Sequence, residues 1–285
     1  MVSQQVVVSN YFNSSNPHIN KASHIYFEGD TLYSYGSHFI LAQKVKNGYI
    51  LNGDKYSITT SSHQSLTRSK APKYSPIIPF SALENIFKNN WLNTEELSKI
   101  EIIDVTGDTY TEVTRYDKDG NPYKAQEHHL GASLIKYKGK YYLSSIDPGS
   151  KDYSFFLCEL KGKPSSVEEA FRDLAGNLSD EEYRGYQEGK ILRQGEYFLK
   201  PVELTTRDLR NNGAIKTRQI KRNVDLSNGN GNAHIARDYL RLPDAEFIRG
   251  TLRHNEHKML RLGQTWHKVI INTAVNSWSA SGSVD

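Results

Sequence analysis

The stretch HIYFEGDTLYSYGSHFILAQKVKNGYILNGDKYSITT, residues 24–60, alternates short runs of β-branched and aromatic residues with glycine-centred turns. Glu28-Gly29-Asp30 separates the first two runs, Asn47-Gly48 the next two, and Asn52-Gly53 repeats the device. Asn-Gly accepts positive φ at both central turn positions, the conformation that matches the twist of paired strands. This predicts an antiparallel meander, and the flanking sequence extends it. KIEIIDVTG (99–107), TYTEVTRYDKDGNPY (109–123), HLGASLIKYKGKYYLSSID (129–147) and DYSFFLCEL (152–160) read as further strands, with a turn at Lys138-Gly139.

Between them, SSHQSLTRSKAPKYSPIIP (61–79) has three prolines and no apolar period, and reads as a connector. SALENIFKNNW (81–91) spaces Leu83, Ile86, Phe87 and Trp91 for a short amphipathic helix, and Asn93 can cap another turn. Ser166 and Glu169 form a capping box for a helix over 167–175, and a second helix is expected over 180–188. Beyond it, 245–275 reads as three more strands.

The expected fold class is α+β, predominantly antiparallel β. A flexible start (1–22) precedes a β-rich domain (23–162) and a helical connector (163–190). A small β-barrel-like domain (191–275), carrying a basic loop over 205–232, and a tail (276–285) complete the chain.

With 285 residues, 37% of them hydrophobic, the chain is long enough to bury a core without staples. Its single cysteine, Cys158, excludes an internal disulfide and a cysteine-based zinc site, and fits a reducing cytoplasm. No segment has the ~18 consecutive apolar residues of a membrane span. Charge is uneven: residues 190–268 hold 16 Lys and Arg against 8 Asp and Glu, and the other 206 residues hold 20 against 24. A basic third on an acidic body suggests a nucleic acid or another polyanion as partner; a solvated loop is the plainer alternative.

Four of the ten histidines lie between Ala233 and Lys268. His254 and His257 flank Asn255-Glu256, and a turn there lets both rings converge, whereas an unbroken strand would point them apart. His234 supplies a third ligand for a divalent transition metal, zinc or similar, and His267 a fourth or a proton carrier. Imidazole suits such ions, and an open position holds a water that Glu196 or Glu256 can activate. Purely structural histidines remain the alternative. His38 and His63 stand beside hydroxyl residues, but no acid is placed to orient either ring as the base for a serine nucleophile. Candidate phosphate contacts are Lys216, Arg218, Lys221 and Arg222 in the loop, with Arg207 and Arg210, and Arg249, Arg253 and Arg261 near the histidines. Tyr197, Tyr239 and Trp266 are candidate base-stacking rings.

RQGEYFLKPVEL (193–204), GNAHIA (231–236) and RGTLRHNEHKMLRLGQTWHKVIIN (249–272) together resemble a family of small phage and plasmid proteins. YSYGSHFILA, TTSSHQS and SVEEAFRDL resemble longer proteins of the same mobile elements. The resemblance implies a mobile-element context and marks Arg193, Gln194, Gly195, His234, His254, His257 and His267, but transfers no activity. Three functions stay open. One is a metal-dependent hydrolase or nuclease acting on a phosphate-bearing substrate, with catalytic Glu196, Glu256 and His267. The others are a non-enzymatic protein that binds a host factor or nucleic-acid machine, and a virion component.

Overall fold

In the computed structural model the described residues are 2–13, 16, 18–87, 92–107, 109–116, 122–129, 131–146, 149, 151, 155–203, 205–207, 219–227 and 233–272. In 109–129, Lys124 is the one residue described beyond its backbone. The chain divides into two compact units, residues 1–147 with 154–173, and residues 148–153 with 174–276.

The first unit opens with helix α1 (Gln4–Asn13). Strands β1 (Lys21–Ala22), β2 (Ile25–Glu28), β3 (Thr31–Ser34), β4 (Ile40–Val45) and β5 (Gly48–Asn52) then form the expected meander. After helix α2 (Ile58–Lys70), β6 (Ile77–Ile78) adds to the sheet edge, parallel to β5. Helices α3 (Phe80–Phe87) and α4 (Thr94–Ser98) lead to β7 (Glu101–Val105). Strands β8 (Thr109–Tyr116) and β9 (Pro122–His129) pair as a separate hairpin. Strands β10 (Ser133–Tyr137), β11 (Lys140–Ile146) and β12 (Phe155–Glu159) join β7 in the order β12-β11-β10-β7. The two larger sheets share one core: Ile40, Ile50 and Ile78 pack with Ile135, Tyr142 and Leu157 under Leu83 and Leu97.

Two segments depart from expectation. The start is a helix whose Val7, Val8, Tyr11 and Phe12 are buried against Ile25, Leu32, Leu41 and Leu51. Such burial is worth roughly 1.5–3 kcal/mol for each large side chain. The connector is largely α2. Ser57 caps it by accepting the Thr60 N–H, and it buries Thr60, His63, Gln64 and Thr67, a helical stripe made of polar residues. Chain direction explains the missing third hairpin. Asn52 donates to the Ile40 carbonyl and accepts the Asp54 N–H, which carries the chain out of the sheet toward α2.

Helix α5 (Val167–Leu174) closes the first unit, and α6 (Asp180–Gln187), with the predicted span and a Ser179–Glu182 capping box, belongs to the second. The second unit is one six-stranded antiparallel sheet in the order β13-β14-β18-β17-β16-β15. Its strands are β13 (Leu192–Gln194), β14 (Tyr197–Pro201), β15 (Lys221–Asp225), β16 (Ile235–Leu242), β17 (Ala245–Arg253) and β18 (Leu260–Ile271). Among the described residues no pairing of β15 with β13 closes the sheet. The last two expected strands are one, the 12-residue β18. The basic loop is partly strand as well, since Lys221–Asp225 pairs with β16.

The sheet buries both faces. On one, Leu199, Ile248, Leu252 and Val269 form a core; on the other, Trp266 and Leu240 are fully buried with Phe247 packed against them. No helix among the described residues is long and apolar enough to cross a membrane.

Candidate metal centre

Three loop-to-strand junctions at one end of the second unit's sheet bring three histidines together. His234 immediately precedes β16, His254 follows β17, and His257 lies in the short connection to β18. The pairing of Ile235 with Arg253 sets His234 beside His254. The turn at Asn255-Glu256 then returns the chain, and a backbone N–H from Glu256 donates to Nδ1 of His254 at 3.1 Å. Lys151 fixes this turn from outside: its N–H donates to the Glu256 carbonyl, and its ammonium donates to the carbonyls of His254 and Asn255.

The three imidazoles are 0%, 7% and 4% exposed, in chain order. One nitrogen from each falls within 4.8 Å of the others. The rings of His234 and His254 stack at 4.1 Å between centroids, and those of His254 and His257 lie at 4.6 Å. Two nitrogens bound to one tetrahedral zinc at about 2.0–2.1 Å each stand about 3.4 Å apart. A pair at the 4.8 Å limit therefore has to close by about 1.4 Å, a movement that rotation of two side chains can share. Metal capture through Nδ1 of His254 would exchange the Glu256 N–H for a coordinate bond.

The β13–β14 hairpin provides the neighbouring oxygens. Gln194 and Tyr197 pair across a two-residue turn whose first position, Gly195, has φ of 56°, a conformation glycine reaches without strain. The turn sets Glu196 Oε1 3.9 Å from His234 Nδ1. Burial, and then the Glu196 carboxylate, push the Tyr197 hydroxyl pKa up. Gln194 donates to the carbonyl of Lys258, next in sequence to His257. Gln194 Oε1 and Glu196 Oε2 are both buried with no hydrogen-bond partner among the described residues. Three imidazoles form a donor set suited to a divalent transition metal, and a cation there would offset the cost of burying the nearby Glu196 oxygen.

Other sequence candidates are placed elsewhere. His267 pairs with Ile248, six residues along β17 from His254 and thus roughly 20 Å away. Its Nδ1 lies 3.0 Å from the Thr265 carbonyl, an acceptor only, so the ring proton sits on Nδ1; burial lowers its pKa. The Glu256 side chain is exposed, and its role here is through its backbone. Arg249 is committed to Asp238 at 3.0 Å, to Thr206, and to the Trp266 face at 4.8 Å. Tyr197, Tyr239 and Trp266 are buried in the sheet's cores, which removes them as open stacking platforms. Lys221, Arg222 and Arg253 are exposed on β15 and β17, and Arg207 and Arg261 are exposed too. Arg210, Lys216 and Arg218 lie outside the described residues.

In the first unit, Ser34 Oγ and His63 Nδ1 meet at 2.7 Å, a pairing of the type expected of a nucleophile and its base. Gln4 Nε2, a donor, faces the other ring nitrogen at 3.4 Å, so the neutral ring carries its proton on Nδ1 and donates to Ser34. Ser34 is 1% exposed. An imidazole that donates to the hydroxyl cannot take its proton, and the pair is structural. His38 stands against Gly36 in the turn after β3, and His128 and His129 lie in β9, where the backbone alone is described.

No family model matches this chain, and no solved structure matches it.

Proposed function

We propose that the second unit is a metal-dependent hydrolase acting on a phosphate-bearing substrate, in a protein of the mobile-element kind its C-terminal segments resemble. The observation that carries this reading is the convergence of His234, His254 and His257 beside the Glu196 carboxylate. A divalent metal held there would supply a water acidic enough to ionise near neutral pH. Glu196, 3.9 Å from His234 Nδ1, would take that water's proton as its oxygen bonds to phosphorus, and would return it to the leaving oxygen as that bond breaks. His267 has no part in this scheme.

Untagged protein purified without chelator should contain close to one equivalent of zinc or a related metal. It should also hydrolyse an activated phosphodiester such as bis(4-nitrophenyl) phosphate. Glu196→Gln should keep the metal and lose at least about a hundredfold in turnover, the range of a missing general base. Protein that folds fully with no metal refutes the centre.

A second reading draws on the depth of the site. Ligands exposed by 7% or less suit a closed structural ion, which would fasten the loop between β17 and β18 to the start of β16 in a non-enzymatic binding protein. Stoichiometric metal with no hydrolysis, and the same metal content in Glu196→Gln, favours this reading.

A further inference from the structure

Strands β15, β16 and β17 form an open cleft lined by Arg222, Asn223, Arg237, Thr251, Arg253 and Met259. Three of the six are arginines, and no carboxylate lines it among the described residues. All three arginines are exposed. They sit on three neighbouring strands, which span roughly 10 Å at the usual strand spacing. Like charges gathered this closely repel one another, and an anion between them removes the repulsion.

Two backbone features support the cleft. Asn223 has φ of 51°, a left-handed conformation that few non-glycine residues adopt, and it interrupts the β15–β16 pairing between Arg222 and Val224. Its side-chain oxygen accepts from Arg253 Nη2 at 3.3 Å, so the strained residue orients a guanidinium. Gly250, on β17, has φ of 84°, and a Cβ there would lie 2.9 Å from Cδ of Arg237. The missing side chain makes room for the Arg237 stem. Asp238 holds Arg249 at 3.0 Å and stands 3.8 Å from Arg222, whose side chain is 83% exposed.

We propose that this cleft is a phosphate-binding site, with Arg237 and Arg253 gripping the phosphate and Arg222 closing over it. Guanidinium groups match phosphate oxygens through paired N–H donors, and Thr251 adds a hydroxyl donor. The site gives the phosphate-bearing ligand its own anchor. It rests on the hydrolase reading for the reaction only, because the binding requires no metal.

The test titrates full-length protein, stripped of metal with EDTA, with inorganic phosphate and with a short fluorescent oligodeoxythymidylate. Binding of phosphate alone assigns the cleft to small phosphate esters, and binding of the oligonucleotide assigns it to a nucleic-acid backbone; either supports the site. Arg237→Gln and Arg253→Gln should each weaken binding about tenfold, the loss of one charge-assisted contact. For the oligonucleotide, Arg222→Gln added to both should lower the log–log salt slope by about 0.7, the value for one phosphate on a single strand. Lys190→Gln, which removes the same charge from an ammonium already paired with Glu188, should change nothing. The proposal is overturned if neither probe binds, or if the triple variant binds as the parent does. Equal weakening by Lys190→Gln also overturns it, by reducing the effect to net charge. A metal-free parent that folds but binds neither probe, while the metal-loaded parent binds, moves the phosphate to the histidine centre and ends the separate site.

Discussion

Removing the His257 side chain tests the metal centre with a magnitude that can be worked in advance. Structural zinc bound by four ligands contributes about 10–16 kcal/mol, or about 3 kcal/mol per ligand. Losing one imidazole should therefore weaken zinc binding by a hundredfold or slightly more. With free zinc at about a hundred times the parent dissociation constant, binding stabilises the folded parent by about 2.7 kcal/mol. At the same zinc concentration His257→Ala is only about half-saturated and gains about 0.4 kcal/mol. The core of the second unit runs from 174 to 276, and in a domain of that length 1 kcal/mol moves the melting midpoint by about 4–8 °C. Calorimetry of untagged, EDTA-treated protein should then show a zinc-induced rise of roughly 10–20 °C in the parent and about 2–3 °C in the variant. Comparing the two rises cancels the cost of opening a cavity at a residue that is 4% exposed. A parent whose midpoint ignores zinc, or a variant that keeps the full rise, refutes the three-histidine site.

Acid should weaken both units. Burial lowers the pKa of His63 and of His267 below the about 6.5 of an unfolded chain. As pH falls through 6.5 the unfolded state therefore takes up protons first, and stability that is complete above about pH 7 is lost down to each folded-state value. Melting from pH 7.5 to 5.5 should show the decline, and His63→Gln, which can still reach Ser34, should flatten it; an unchanged slope counts against the assignment. Gly250→Ala should cost about 1–2 kcal/mol from backbone strain at positive φ and should displace Arg237, weakening phosphate binding although no charge changes. An alanine variant with parental stability and affinity would show that the glycine does not shape the cleft. Trp266→Ala, which empties a fully buried site on the sheet, should cost about 3–5 kcal/mol by denaturant titration, and a loss under 1 kcal/mol would mean that the core had been misplaced.

The strands were legible where turn chemistry is unambiguous. Lys138 and Gly139 both take positive φ between Tyr137 and Lys140, as a two-residue hairpin turn requires. The convergence of His254 and His257 was also legible, because two rings three apart meet only if the chain turns between them. Helix α2 was hidden because its buried stripe, Thr60, His63, Gln64 and Thr67, has helical spacing but no apolar residues. Its hydroxyls bond back to carbonyls one turn earlier, as Ser65 does to Ser61 and Thr67 to His63, which satisfies groups that a sequence reading assigns to a loop. His267 was misgrouped for a related reason, since nearness in sequence to His257 says nothing of travel along β18. The cleft residues Asn223, Arg237 and Gly250 carry no motif, and they become visible only through φ values and a cross-strand approach.

The turn that aims His254 and His257 is tied to residues more than a hundred positions earlier in the chain. Gly149 accepts the Lys258 N–H and Lys151 reaches three carbonyls of the turn, from a segment threaded between β11 and β12. That segment belongs to the second unit, although the strands on either side of it belong to the first. A gene fragment cut at the obvious boundary after residue 173 would encode all six strands of the sheet and all three imidazoles, yet leave these ties behind. The C-terminal third is thus a poor cassette for shuffling onto another protein, and an excised version would have to bring its hexapeptide along through a new linker or a circular permutation.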